Sequence, residues 1–197
     1  SDIEVTEDEN NNNQDQGLNS TINIYAGTNE NSNFSNFAIR PFTINVETPK
    51  GEKEYTFQSV EQAFHFYKTI VADRSDIGQK ILETSNGSKL KKLTNRNNLK
   101  LTPEQLKEWD NTSKSIMLNL MYDSFIQNPI QAQKLVDTGD SKLTHKYNNI
   151  EQDNGRFSEV INTVKEMLIE DQGLNAPVDN NPLNNIPTFA DEAIKCK

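Results

Sequence analysis

The sequence predicts a mainly α-helical, α+β fold, with a small N-terminal β element followed by a compact helical domain. Two runs rich in β-branched and aromatic residues, 42–47 and 54–57, flank the turn sequence Thr48-Pro49-Lys50-Gly51 and predict a hairpin. After Ser59 the apolar residues recur every three to four positions, which is the period of an amphipathic helix. Strands and helices do not alternate as in a Rossmann fold, and no glycine-rich phosphate loop follows a strand.

The elements follow in order from these patterns. Residues 22–25 predict a short strand before the hairpin, and Ser59 can cap a first helix that runs to about Val71. Thr102-Pro103-Glu104-Gln105 is the strongest helix start, since it combines an N-cap, a first-turn proline and a capping-box glutamine. That helix should stop before Asn128-Pro129. Further helices are predicted at 75–86, 88–93, 129–136 and from about residue 157.

Composition separates a near-neutral body from two polar tails. The 197 residues carry a net charge of −9, and only 33% of them are apolar. Residues 1–20 hold six acidic residues and no Lys or Arg, whereas residues 171–197 are rich in Pro and Asn. Both segments are predicted to be disordered, since they cannot bury enough apolar surface to offset the entropy of ordering. The domain is expected at 21–170, where the net charge is −1 once −6 and −2 are subtracted from −9.

The same composition argues against several classes of protein. A near-neutral body does not favour tight, non-specific binding to duplex DNA. Cys196 is the only cysteine and there are two histidines, so the sequence predicts no metal site and no disulfide framework. No apolar run is long enough for a membrane span, and no secretion signal is visible. We therefore expect no membrane partner and a cytoplasmic location.

The first helix carries the first candidate for chemistry. Glu61, His65 and Lys68 lie within about 60° of one another around its axis, beside the apolar face that Phe64 belongs to. Their carboxylate and amine could therefore project into a cleft and share one substrate. The alternative is an ordinary solvated face with i,i+4 and i,i+3 pairs, and spacing alone favours it.

The second candidate is the loop Phe34-Ser35-Asn36-Phe37, followed by Arg40. Ser, Asn and Arg side chains in a loop held by aromatic residues could bind the phosphate of a ribose. The alternative is an irregular loop that Phe34 and Phe37 merely attach to the core.

Together these segments resemble the NADAR (YbiA-like) family. The resemblance rests on the FSNF loop, on Ser59-Val60-Glu61-Gln62-Ala63-Phe64 with Tyr67-Lys68, on Trp109 ahead of a long helix, on Gln127-Asn128-Pro129, and on Leu135–Asp140 followed by Leu143-Thr144-His145. Five segments in order, at the family's spacing, cover about residues 22–169. The resemblance implies a compact, YbiA-like helical fold that hydrolyses N-glycosidic bonds without a metal or redox cofactor.

The resemblance also implies roles for individual residues. Glu61 matches the catalytic glutamate and Lys68 its accompanying lysine, while Ser35, Asn36 and Phe37 match the loop that lines the site. Trp109 matches an aromatic residue near the substrate, although an ordinary core tryptophan is an equal alternative. Arg40 and Arg96 are expected to hold phosphate, and Phe64 to border the site. Many members have an acidic residue closely followed by Trp-Gly before the last helix; this chain lacks that Trp, and Asp153 is the nearest counterpart of the acid.

Three functions stay open on the sequence. The resemblance favours removal of ADP-ribose from guanine in a nucleotide or nucleic acid. A second possibility is cleavage of a small phosphoribosylamino intermediate of riboflavin synthesis. A third is a catalytically inactive module that binds ADP-ribose or nucleotides, and the missing Trp-Gly segment is its main support.

Overall fold

The computed structural model describes residues 20–25 and 30–173. The predicted tails lie outside the described residues, except for Ser20 and the end of the last helix. The helices within the described part are α1 (Val60–Val71), α2 (Ser75–Leu82), α3 (Gly87–Leu93), α4 (Arg96–Leu99), α5 (Pro103–Ile126), α6 (Pro129–Val136) and α7 (Arg156–Gly173). The strands are β1 (Thr21–Asn23), β2 (Phe42–Thr48), β3 (Gly51–Phe57), β4 (Lys142–Thr144), β5 (Lys146–Tyr147) and β6 (Ile150–Glu151). The predicted mainly α, α+β fold is confirmed.

The strands form three separate pairs. β2 and β3 make the antiparallel hairpin that the Pro/Gly turn predicts, with Phe42 opposite Phe57. β1 pairs in parallel with β4, so the start of the described chain lies beside residues more than a hundred positions later. β5 and β6 form a two-residue hairpin in which Tyr147 faces Ile150. Neither β4 nor the β5–β6 hairpin is predicted from the sequence, and nor is the single turn α4.

Side-chain caps explain where the main helices begin. The Ser59 hydroxyl accepts a hydrogen bond from the backbone N–H of Gln62 and so fixes the first turn of α1. At α5 the capping box is complete, because Thr102 accepts from the Gln105 N–H while the Gln105 side chain accepts from the Thr102 N–H. These local bonds satisfy N–H groups that a helix start leaves without an intrahelical partner.

The core lies between α1, α5 and α7. α1 packs against α5 and α2, and α5 packs against α7 and α6. Fully buried side chains such as Tyr67, Leu120, Phe125 and Val164 fill the space between them. Burial of each large apolar side chain of this kind stabilises the fold by about 1.5–3 kcal/mol. Within the described residues, no helix is both long and apolar enough to cross a membrane.

Candidate active site

A cavity of about 730 Å³ opens where α1, α3, α5, the start of α7 and the 34–37 loop meet. Eight of the ten predicted site residues line it: Ser35, Asn36, Phe37, Glu61, Phe64, Lys68, Trp109 and Asp153. The cavity is of the size and mixed character usual for small-molecule sites, with aromatic walls and a few charged groups. Residues far apart in the chain therefore converge on one place.

The N-terminus of α1 carries the carboxylate of the cavity. Glu61 Oε1 lies 2.7 Å from His65 Nε2, one helical turn further on, and both side chains are close to nine-tenths buried. His65 Nδ1 lies 2.6 Å from the hydroxyl of Thr94. Because an ionised carboxylate has no proton to donate, the proton of the Glu61–His65 bond belongs to His65. The carboxylate is thus held in a fixed orientation.

The predicted loop is attached directly to this helix. The backbone N–H of Glu61 donates to the carbonyl of Asn36, with an N···O distance of 2.9 Å. The Ser35 hydroxyl accepts from the Phe37 N–H and so closes a local turn. Asn36 is 5% exposed, and its Oδ1 has no hydrogen-bond partner among the described residues. The loop therefore presents an open acceptor beside Glu61.

Lys68 occupies the same face of α1, two turns beyond Glu61. Its ammonium lies 5.9 Å from the centre of the Trp109 ring. Burial, assisted by the charge of Arg156, lowers the pKa of Lys68 from its ordinary value, while Asp110 opposes the shift. Among the described residues, no carboxylate lies within ion-pair distance of this ammonium. Lys68 is therefore easier to deprotonate than an ordinary surface lysine.

Aromatic residues form the walls of the cavity. The rings of Phe64 and Trp109 lie 4.9 Å apart between centroids, and Trp109 is only 6% exposed. Trp109 therefore packs into the core and lines the cavity at the same time, so the two interpretations of this residue do not exclude each other. Phe37 also lines the cavity, with the Lys91 ammonium 5.4 Å from its ring centre.

The turn before α7 carries Asp153 into the cavity. Asp153, Asn154 and Gly155 all have positive φ, at 58°, 54° and 77°. Such a run is unfavourable for the two non-glycine residues, and tertiary contacts must hold it in place. Arg156 provides one, since its Nε and Nη2 lie 2.9 and 2.7 Å from Asp153 Oδ2.

The structure places the two arginines that were expected to hold phosphate, Arg40 and Arg96, outside the lining of the cavity. Arg40 is 1% exposed and lies outside the cavity wall. Its guanidinium donates to the carbonyls of Asn33 and Ser35 and to the Ser124 hydroxyl, and burial lowers its pKa to about 9. Through these hydrogen bonds Arg40 stabilises the 34–37 loop without lining the cavity. Arg96 is exposed in the first turn of α4, also away from the cavity.

Two other cations line the cavity instead. Arg156 stands at the start of α7, with Cζ 5.1 Å from the Phe64 ring centre, and Nη1 donates to the Ser113 hydroxyl. Lys91 lies on α3. Sequence reasoning missed both, although Arg156 follows the acidic Asp153 by three residues at a helix start, which is the spacing of an ion pair.

His145 is a further lining residue that was not selected. It lies between Tyr25 and Phe157, at centroid distances of 5.7 and 4.9 Å. Burial lowers its pKa, although the nearby Glu151, Asp153 and Glu61 oppose the shift. Within the described residues, no group of three or more His, Cys, Asp or Glu side chains could hold a metal ion.

The fold and this cavity define an α+β protein whose candidate site combines a fixed carboxylate, a partly buried lysine and aromatic walls. The chain belongs to the NADAR domain family, whose model matches residues 24–151.

Two known proteins are similar to this chain. Protein irg-1 of Caenorhabditis elegans is 36% identical over 100 residues, which cover 49% of this chain and 46% of that protein. The match thus spans about half the length of that relative. The NMR structure of the E. coli protein YbiA superposes with a TM-score of 0.62 at 17% identity, over 86% of this chain and 96% of that one. At this identity the likeness shows the fold alone.

Proposed function

We propose that this protein is a hydrolase that cleaves an N-glycosidic bond to a phosphorylated ribose, and that its substrate is guanine carrying ADP-ribose. The observation that carries the proposal is the convergence of Glu61, held by His65, and the partly buried Lys68 on one aromatic-walled cavity. Membership of the NADAR domain family supports the same class of reaction.

Glu61 supplies the negative charge that this reaction needs. Cleavage of a ribosyl N-glycosidic bond develops positive charge at the anomeric carbon and the ring oxygen. A carboxylate that is already oriented stabilises that charge without reorganising during the reaction. The bond from His65 to Oε1 leaves Oε2 of Glu61 to face the sugar or to activate a water molecule.

Lys68 has the environment of a nucleophilic amine. Its lowered pKa increases the fraction of neutral amine at a given pH. In the proposed step the Lys68 nitrogen bonds to the anomeric carbon and the bond to the base nitrogen breaks, with a proton passing to the departing base. The ribose ring then opens to a Schiff base, which water hydrolyses to free the lysine and the sugar. A proton-donating role is the alternative for the same residue.

The remaining groups fit the two ends of the substrate. Trp109 and Phe64 offer apolar faces on which a purine can stack. Lys91 and Arg156 take the phosphate-binding place that was expected of Arg40 and Arg96, because they line the cavity and, unlike Lys68, have no role in the bond cleavage. Asp153 is the second carboxylate, held by Arg156 at the rim.

The test compares the unchanged protein with Glu61→Gln on a single-stranded oligonucleotide that carries one ADP-ribosylated guanine. Release of ADP-ribose, followed by chromatography, should fall by at least about a hundredfold in the variant, because an uncharged amide cannot stabilise the developing cation. The control is Glu83→Gln, an exposed glutamate that caps the end of α2, and it should leave the rate unchanged.

Borohydride added during turnover should couple the sugar covalently to Lys68, and a Lys68→Met variant should show no adduct. Equal release by the unchanged protein and Glu61→Gln would contradict the proposal. If the protein instead hydrolyses phosphoribosylamino intermediates of riboflavin synthesis, the proposed substrate is wrong but the proposed reaction stands. Binding of ADP-ribose without turnover of any substrate would identify an inactive binding module.

A further inference from the structure

Four rings form a row that leads out of the cavity. Phe157, His145 and Tyr25 line the cavity, at successive centroid distances of 4.9 and 5.7 Å. Tyr147 continues the row beyond the cavity wall and stacks on Tyr25 at 5.3 Å, with the two ring planes 23° apart. Its side of the row faces solvent, since Tyr147 is 55% exposed.

The β5–β6 hairpin holds Tyr147 in this position. Asn148 and Asn149 have φ of 51° and 61°, the left-handed conformation that a two-residue type I′ turn requires at both central positions. Tyr147 and Ile150 are directly opposite each other across this turn, so their side chains share one face of the hairpin. Ile150 is 67% exposed, which makes the pair a small apolar platform beside the cavity.

The hairpin is anchored at its base. The Glu151 carboxylate accepts from the backbone N–H of His145 and from the Ser158 hydroxyl. The Gln152 N–H donates to the His145 carbonyl at 2.8 Å. On the other side, the Asn23 side chain bonds both the N–H and the carbonyl of Lys146. The platform is therefore fixed relative to the cavity, and a ligand need not order it.

The surroundings of the platform carry charges of both signs. Lys146 precedes Tyr147 and is exposed, and Lys91 lies on the cavity wall, while Glu151 and Asp153 lie near enough to His145 to oppose the lowering of its pKa. An exposed aromatic ring that continues a row of rings out of a cavity suits single-stranded nucleic acid, because any base can stack on an aromatic face.

We propose that Tyr147 and Ile150 form a stacking site for the nucleobase next to the modified guanine of a single-stranded substrate. This inference rests on the proposed function and adds a second binding site, outside the cavity, for its substrate. The modified guanine enters the cavity, and the neighbouring base stacks on the outer face of Tyr147.

The experiment measures kcat/KM on two substrates, an ADP-ribosylated guanosine monophosphate and a single-stranded oligonucleotide with one ADP-ribosylated guanine. Tyr147→Ala should lower kcat/KM on the oligonucleotide by about tenfold, the usual effect of removing one base-stacking ring. The same variant should hydrolyse the mononucleotide at the unchanged rate. Tyr147→Phe keeps the ring and should behave as the unchanged protein on both substrates.

The control is Ile130→Ala, which removes an equally exposed apolar side chain on α6 and should change neither rate. Equal loss on both substrates, or no loss on either, overturns the assignment of Tyr147. A protein that hydrolyses neither substrate overturns the proposed function instead. In that case binding of a labelled, unmodified oligonucleotide still decides the platform, because Tyr147→Ala must weaken it about tenfold at low salt if bases stack there.

Discussion

His65 links Glu61 to Thr94 at the end of α3. Its two ring nitrogens bond the Glu61 carboxylate and the Thr94 hydroxyl, at 2.7 and 2.6 Å. Thr94 in turn donates to the Leu90 carbonyl, so the chain of hydrogen bonds runs from α1 to the end of α3. The orientation of the carboxylate thus depends on a side chain that needs no contact with the reacting bond.

We expect His65→Ala to lower kcat by about ten- to a hundredfold with little change in KM, because the carboxylate loses its fixed orientation and not the binding walls. His65→Gln should recover most of the rate, since a glutamine amide can donate to Glu61 in place of the imidazole. Steady-state kinetics of the two variants make the comparison. An increase in KM with kcat unchanged would show that His65 acts in another way. The same conclusion would follow if His65→Gln did not recover the rate.

Single residues differ in how well the sequence predicts them. Helical spacing places Glu61 and Lys68 on one face but by itself favours a solvated pair, so their selection rests on the family resemblance; the structure brings both to the cavity. Arg40 could not be separated from a ligand-binding arginine, because its burial depends on Phe125 and Ser124, more than eighty residues away. His145 and Lys91 reach the cavity only through tertiary packing and carry no local pattern.

At the scale of elements, the first residue of α3, Gly87, packs closely against the 34–37 loop. A Cβ on Gly87 would lie 2.6 Å from Cδ1 of the Phe37 ring, well inside van der Waals contact. Glycine at the first position of α3 is therefore required by the close packing of helix and loop. This contact sets the position of one aromatic wall of the cavity.

Gly87→Ala should displace Phe37 and raise KM for the substrate several-fold, while the free energy of unfolding falls by about 1–3 kcal/mol. Kinetics and urea unfolding measure the two effects. A double variant with Phe37→Ala removes the clash, so adding Gly87→Ala should then cost almost nothing further. Additive losses in the double variant would show that the clash is not with Phe37.

Elements with local signals are predicted better than those that depend on distant pairing. Caps at Ser59 and Thr102 and the turn at Pro49 mark their elements within a few residues. β4 has three residues, and it is a strand because it pairs with β1, which lies in a distant part of the sequence. A strand of three residues is too short to show a periodic pattern in the sequence, and β5, β6 and α4 are too short for the same reason.

In the part of the chain that the structure describes, Asp123 is a largely buried carboxyl group that the proposed mechanism does not use. Asp123 lies on α5, next to Tyr122 and Ser124, both fully buried. Burial raises the pKa of Asp123 from 3.8 to about 7. Burial and the charge of Asp123 also raise the pKa of Tyr67 on α1. The interface between the two central helices thus favours the neutral form of Asp123.

The stability of the whole fold should therefore depend on pH through this group. Between about pH 4 and about pH 7 the folded state holds a proton on Asp123 that the unfolded state releases, so the free energy of unfolding falls as the pH rises. At about 1.4 kcal/mol per pKa unit, a rise from 3.8 to about 7 makes the loss on the order of 4 kcal/mol. Asp123→Asn has no proton to lose and should be more stable than the unchanged protein at pH 8, by about that amount.

Urea unfolding of both proteins at about pH 4.5 and pH 8 measures the difference, and comparison within each pH cancels the titration of every other group. The two proteins should be nearly equal in stability at the lower pH, where Asp123 is protonated when folded and resembles asparagine. A stability difference that is the same at both pH values would mean that Asp123 keeps an ordinary pKa, and that its contact between α1 and α5 is solvated.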